Sequence, residues 1–158
     1  MIDLYEELKK ILSCFEEKQI EYALAGGLAF SLYARPRATM DIDLVIKSDD
    51  WKKVLSAMKS LGYLESALPI TFDGGQVKMR RLTRVEKGKT DIMVVDFLLA
   101  QSGVVKKILS ERVAREWEGG KIWLVSRKGL VRLKQLRSSK QDKIDIEELK
   151  GEKTKKEK

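Results

Sequence analysis

Ile92 to Leu99 reads Ile-Met-Val-Val-Asp-Phe-Leu-Leu, eight residues with one polar side chain, and it is apolar on both faces. A strand that is apolar on both faces must lie inside a sheet with material above and below it. Helical patterns exist to supply that cover. Residues 3–18 place Leu4, Leu8, Ile11, Leu12 and Phe15 at helical spacing, with Glu and Lys opposite. Tyr22 to Ala25 reads as a short strand, and a helix over 28–34 follows Gly26-Gly27. Arg35-Pro36-Arg37 breaks that helix. Asp41 to Lys47 alternates as a strand, with Ile42, Leu44 and Ile46 on one face and Asp41, Asp43 and Val45 on the other. Ser48 is the expected cap of the next helix, and Gly62 its end. A strand set is expected over 70–99, a helix near 102–116, and a hairpin through Gly119-Gly120 into Ile122 to Val125. Helices over 127–137, capped by Ser126, and over 142–149 close the chain. The order predicts an α/β (α+β) fold built on one main sheet.

The 158 residues suffice for one domain with a sizeable core. The expected division is a domain over 1–149 and a disordered basic tail over 150–158. No apolar run approaches a membrane span, and MIDLYEELKK mixes acids into its start where a leader would be apolar, so a cytoplasmic protein is expected. Histidine is absent, which excludes Ser-His-Asp and Cys-His catalysis and His-ligated zinc. The single cysteine, Cys14, forms no intrachain disulfide and reads as a small core-side residue. Chemistry here must run on carboxylates, hydroxyls, Lys or Arg, or on hard metal ions held by oxygen. Asn is absent too and charged residues are abundant, a faint thermophilic signal.

Asp41 and Asp43, at i and i+2 on a strand, project from one face roughly 6–7 Å apart. Such a pair repels unless a cation lies between, and it suits Mg²⁺; the plainer alternative is a solvated acidic edge. Asp96 shares its strand face with Ile92, Val94 and Leu98. A carboxylate on that face needs a partner, either a metal shared with Asp41 and Asp43 or a salt bridge from Arg or Lys. Gly26-Gly27, between a strand and a helix, lets backbone N–H groups meet phosphate oxygens at the positive helix end.

The net charge of +8 is concentrated in Lys78, Arg80, Arg81, Arg84, Lys87 and Lys89, in Arg127, Lys128, Arg132, Lys134, Arg137 and Lys140, and in the Lys-rich end. A polyanionic partner is the functional reading and a solvated surface the plain one. If 80–84 is a strand, Arg80 and Arg84 share one face and Arg81 points to the other, so only part of that patch can line a site.

Ala25-Gly26-Gly27-Leu28-Ala29 followed by Arg37-Ala38-Thr39-Met40-Asp41-Ile42-Asp43-Leu44 resembles the signature of the DNA polymerase β-like nucleotidyltransferase superfamily. It is similar above all to small prokaryotic members, which include AbiEii-type toxins of toxin–antitoxin systems. Leu133-Lys134 with Asp142 and Asp145-Ile146 is similar to the C-terminal helices of AbiEii-like proteins. The resemblance implies a nucleotidyltransferase-type mixed sheet flanked by helices, with a short C-terminal helical segment. It implies that Gly26 and Gly27 hold the β- and γ-phosphates of a nucleoside triphosphate. Asp41 and Asp43 would hold Mg²⁺, and Asp96 would complete a second metal site, with Mn²⁺ as the alternative ion. Ser31, Arg37 and Lys134 are further candidates for the triphosphate, with Lys134 expected to point into the cleft. The implied reaction moves a nucleoside monophosphate to a hydroxyl of RNA (tRNA among them), protein or a small molecule, releasing pyrophosphate, and the basic patches favour RNA over a small molecule. An antitoxin is the implied protein partner. The alternatives are a non-catalytic nucleotide- or RNA-binding module on the same fold, and a plain α/β domain whose acids pair with its many bases.

Overall fold

A computed structural model describes residues 3–34, 41–72, 77–86, 91–101, 103–118, 120–137 and 140–157. The chain runs α1 (Leu4–Glu17), β1 (Tyr22–Ala25), α2 (Gly26–Tyr33), β2 (Asp41–Lys47), α3 (Trp51–Ser60), β3 (Leu64–Glu65), β4 (Ile70–Phe72), β5 (Val77–Val85), β6 (Ile92–Ala100), α4 (Gly103–Ser110), β7 (Val113–Trp117), β8 (Gly120–Leu124), α5 (Arg127–Arg137) and α6 (Lys140–Glu157). The strands form one eight-stranded sheet in the order β3-β5-β6-β2-β1-β8-β7, with β4 also paired to β5. It is mixed: β2–β6 and β1–β8 are parallel, whereas β1–β2, β5–β6 and β7–β8 are antiparallel. This is the expected α/β fold with one main sheet.

The doubly apolar octet lies where its composition requires, as β6 between β5 and β2. Met93, Val95, Phe97 and Leu99 form its core face. Phe15 of α1 stacks on Phe97 and Trp51 of α3 meets it edge-on, so α1 and α3 cover that face. The opposite face carries Asp96, and α2, α5 and α6 pack together over the β1 side of it. α1 starts as an amphipathic helix should, with the Asp3 carboxylate accepting from the N–H groups of Tyr5 and Glu6. Its buried acid, Glu7, accepts from the Tyr63 hydroxyl and the Arg84 guanidinium. Cys14 is partly buried against the core.

Three local expectations are corrected. The helix near 102–116 ends at Ser110, and Val113–Trp117 is instead β7, an edge strand paired residue by residue with β8. Pairing across the hairpin satisfies its backbone, which a periodicity reading of so short a run cannot anticipate. Ser48 does not cap α3: a 3-10 turn over Ser48–Asp50 leads into the helix without a side-chain cap bond. The last helix starts two residues early and continues beyond residue 149 through Glu157. Lys and Glu dominate that stretch, and both are strong helix formers. The expected helix break at Arg35-Pro36-Arg37 and Gly119 of the hairpin lie outside the described residues. Two helix ends stand as expected. Ser126 Oγ accepts from the Gly129 N–H at 2.9 Å, and Gly62, at φ +93°, closes α3. Among the described residues no helix is long and apolar enough to cross a membrane.

Candidate active site

Register brings the chemistry together. Ala25, at the end of β1, pairs with Asp43 on β2; Asp43 pairs with Asp96 on β6; Asp96 pairs with Arg81 on β5. Directly paired residues share a face, so one row crosses four strands as Ala25, Asp43, Asp96 and Arg81. Asp41 stands two residues before Asp43 on the same face. These residues line a cleft of about 480 Å³, together with Gly26, Gly27 and the α5 side chains Leu130, Leu133, Lys134 and Arg137.

Gly26 opens α2 at φ +64°, a left-handed conformation that favours glycine. A Cβ there would come within 2.6 Å of Asp43 Cγ and 2.8 Å of Asp43 Cβ. The strand–glycine–helix turn therefore rests directly on the central carboxylate, and no side chain could stand between them. The first N–H groups of α2 lie at this same turn, beside the acids.

The electrostatics follow from the crowding. Asp43 is half-buried, and its carboxyl is pushed up to about 7, first by burial and then by the neighbouring Asp96 and Asp41 charges. Asp41 is raised as well, by burial and then by Asp96, with Arg81 opposing. Asp96, only 4% exposed, has its partner in Arg81. Arg81 Nε donates to Asp96 Oδ1 at 2.8 Å and Nη2 donates to Oδ2 at 3.0 Å, a bidentate fork. Of the two compensations open to Asp96, the arginine salt bridge is the one present. Among the described residues no three acidic or sulfur side chains converge closely enough to be grouped around one ion. The donor chemistry nevertheless fits a divalent cation at Asp41 and Asp43. They are two half-buried carboxylates on one face whose mutual repulsion is only partly compensated.

The other expected site residues are placed differently. The Ser31 hydroxyl donates to the Gly27 carbonyl at 2.9 Å, one turn back along α2, and does not line the cleft. Arg37 lies outside the described residues. Lys134 is on the cleft wall, but its ammonium turns to Asp145 of α6 at 2.8 Å, with both side chains buried, instead of pointing into the cleft. The carboxylate that meets the buried amine offsets the cost of taking it out of water. Breaking such a pair from one side leaves an uncompensated charge, so Lys134→Met or Asp145→Leu alone should destabilise the fold by about 3 kcal/mol. The double variant should recover most of that loss, and urea unfolding of the four proteins measures it. Additive losses would show that the two side chains act separately.

The basic patches are largely committed within the chain. Arg80 forks onto Glu65 at 2.7 and 2.9 Å and lies over Trp51; Arg84 pairs with Glu7 beside Tyr63. Both leave by the face opposite Arg81, as strand parity requires. Arg127 donates to the carbonyls of Leu149 and Tyr33, tying α5 to α6 and α2. Arg81 and Arg137 line the cleft as members of the two basic patches, and the apolar group Ile70, Met79 and Leu98 are cleft residues that the sequence did not single out as a site. Parity separates Arg81 from its neighbours, but it does not say which face holds the acids.

The model of the aminoglycoside-2''-adenylyltransferase family matches residues 7–149. The chain belongs to that family. The match covers the whole sheet, most of α1, all of α2 to α5 and about half of α6, and so takes in the acids, the glycine turn and the cleft. Solved structures share the fold at low identity. The lincosamide antibiotic adenylyltransferase LnuA, lincomycin-bound, is 17% identical with a TM-score of 0.58, covering 92% of this chain and 95% of that one. ANT(2'')-Ia in complex with adenylyl-2''-tobramycin is 13% identical with a TM-score of 0.56, covering 91% and 86%. A nucleotidyltransferase of Thermotoga maritima is 16% identical with a TM-score of 0.61, covering 89% of each chain. No curated protein matches the chain. The fold is that of a nucleotidyltransferase, as the Asp41-Ile42-Asp43 and Gly26-Gly27 motifs led one to expect.

Proposed function

We propose that the protein transfers a nucleoside monophosphate, AMP by analogy with its family, from a nucleoside triphosphate to a hydroxyl of a small molecule. The observation that carries this reading is the contact of the Gly26 turn with Asp43, in one cleft with Asp41 and Asp96. Phosphate-binding backbone and metal-binding carboxylates are thereby adjacent. Gly26 and Gly27 hold the β- and γ-phosphates on the first N–H groups of α2. Asp41 and Asp43 would hold Mg²⁺, or Mn²⁺ in its place, and Asp96, now forked by Arg81, would be the ligand of a second ion. A bound divalent ion supplies charge neutralisation of the triphosphate and activation of the acceptor hydroxyl. Arg81 and Arg137 add fixed positive charge along the cleft, which favours the charge built up as pyrophosphate leaves. The absent histidine is no obstacle, because the work is positioning and neutralisation.

The family match and the commitment of Arg80, Arg84 and Arg127 to intrachain contacts favour a small-molecule acceptor over RNA or tRNA. The catalytic unit proposed is 1–149, acting in the cytoplasm. A second reading makes the protein an AbiEii-like toxin with an antitoxin partner, or a nucleotide-binding module without turnover. It rests on Lys134 and Asp145, two residues of the AbiEii-like pattern that meet in a buried pair.

Incubation with each α-labelled NTP, Mg²⁺ and either a pool of hydroxylated antibiotics or total RNA separates these readings. Label on a small molecule is expected, and its loss in EDTA. Label on RNA, with binding that weakens steeply between low and physiological salt, transfers the proposal to a nucleic-acid acceptor. NTP binding without any labelled product supports the non-catalytic module.

A further inference from the structure

The face that carries the acids also carries a second row. Ile70 on β4 pairs with Met79 on β5, and Met79 pairs with Leu98 on β6. Each of Met79 and Leu98 stands two residues from a member of the acidic row, Arg81 and Asp96, so both rows share one face. All three apolar side chains line the same cleft as the acids. Ile70 is 49% exposed, and Met79 and Leu98 are half-buried. The result is a shelf of three apolar side chains, open to the cleft, roughly 7 Å along the strands from Asp96.

Its position says which substrate it meets. From β1 to β5 the site runs Gly26, Asp43, Asp96, Arg81, and the shelf begins beyond Asp96, on the side away from the glycine turn. With the β- and γ-phosphates on Gly26 and Gly27, the α-phosphorus lies at the carboxylates and pyrophosphate leaves toward α2. An in-line displacement brings the attacking hydroxyl from the opposite side. That side is the shelf and Arg81. In atoms, the acceptor oxygen forms a bond to the α-phosphorus, the bond from the α-phosphorus to the bridging oxygen breaks, pyrophosphate carries away that oxygen, and the hydroxyl proton is released.

We infer that the Ile70–Met79–Leu98 shelf is the acceptor subsite and takes a hydroxyl compound with an apolar face, in contrast to a wholly polar sugar such as an aminoglycoside. This rests on the nucleotidyl-transfer reading above. An acceptor with an apolar face would cover exposed Ile70 and the half-buried Met79 and Leu98 beside it, whereas a wholly polar one would leave them in contact with water.

The test compares methyl and hexyl β-glucoside, which have the same hydroxyls and differ in apolar reach, with tobramycin as the compound that lacks an apolar face. Calorimetry is run on the full chain with Mg²⁺ and a non-hydrolysable ATP analogue bound. Hexyl glucoside should bind at least tenfold more tightly than methyl glucoside and than tobramycin. Ile70→Asp, at a half-exposed position, and Met79→Ser should each reduce that gain to threefold or less, while affinity for the ATP analogue stays within twofold. Equal binding of the two glucosides, or tobramycin binding as tightly as the hexyl compound, overturns the subsite. A parallel loss of ATP-analogue affinity in both variants also overturns it, because the shelf would then seat the nucleobase. Failure of the wild-type protein to bind any NTP analogue is a different result: it removes the nucleotidyl-transfer reading itself and the acceptor role with it.

Discussion

Asp43→Asn lowers nucleotidyl transfer by roughly 10³-fold, about 4 kcal/mol of transition-state stabilisation, while the protein without metal becomes more stable. The two effects have one cause. Asp43 is wedged between the Gly26 turn, Asp41 and Asp96, and burial followed by those two charges pushes its carboxyl up to about 7. A neutral amide of the same shape relieves both the desolvation and the repulsion. The gain should be about 1 kcal/mol near pH 8, a rise of roughly 2–4 °C in Tm for a chain of this size. The same change removes a charge from the pair assigned to the divalent ion, so Mg²⁺ should raise the Tm of the wild type and not that of the variant. Scanning calorimetry with and without Mg²⁺, beside a labelled-NTP assay, measures all three quantities. Wild-type turnover in Asp43→Asn would remove the carboxylate from the mechanism. A lower Tm in the absence of metal would mean that its charge is stabilised by its surroundings instead of strained by them.

Gly26→Ala should be nearly as damaging, by a different route. The position is left-handed at φ +64°, which costs an L-residue with a side chain about 1 kcal/mol. The new methyl would also sit within 2.6 Å of Asp43 Cγ, closer than real contacts permit. Either the Asp43 side chain leaves its row or the start of α2 lifts away, and both separate the phosphate turn from the carboxylate. Stability should fall by about 2–3 kcal/mol, and kcat/KM by about 10²-fold with a higher KM for the NTP. Gly103→Ala is the control. It stands at the start of α4, where an added Cβ meets nothing within 4 Å, and it should change neither quantity. An unchanged KM in Gly26→Ala would show that the glycine turn does not hold the triphosphate.

Much of this architecture is legible in the chain because helices and strands are set by local periodicity. α1, β1, β2, β6 and α5 stand within a few residues of where alternation and helical spacing put them, and Gly62 and Ser126 end and begin helices for local reasons. Strand parity alone places Asp41 and Asp43 on one face and separates Arg81 from Arg80 and Arg84. Val113–Trp117 escaped the reading because a five-residue run takes its conformation from its hairpin partner.

The sequence by itself therefore determined most of the elements, the face each side chain takes along its own strand, and the need of Asp96 for a compensating charge. It could not say what meets what. Asp43 finds Asp96 through the parallel pairing of β2 with β6, and Asp96 finds Arg81 through the antiparallel pairing of β6 with β5. Register between strands is a tertiary choice, made by the combined burial of both partners and invisible to the pattern of either one. The same choice lines up Ile70, Met79 and Leu98 as a shelf beside the acids. It is also packing, here of α6 on α5, that turns the Lys134 ammonium toward Asp145, because a buried amine follows its nearest carboxylate whatever its own helix suggests.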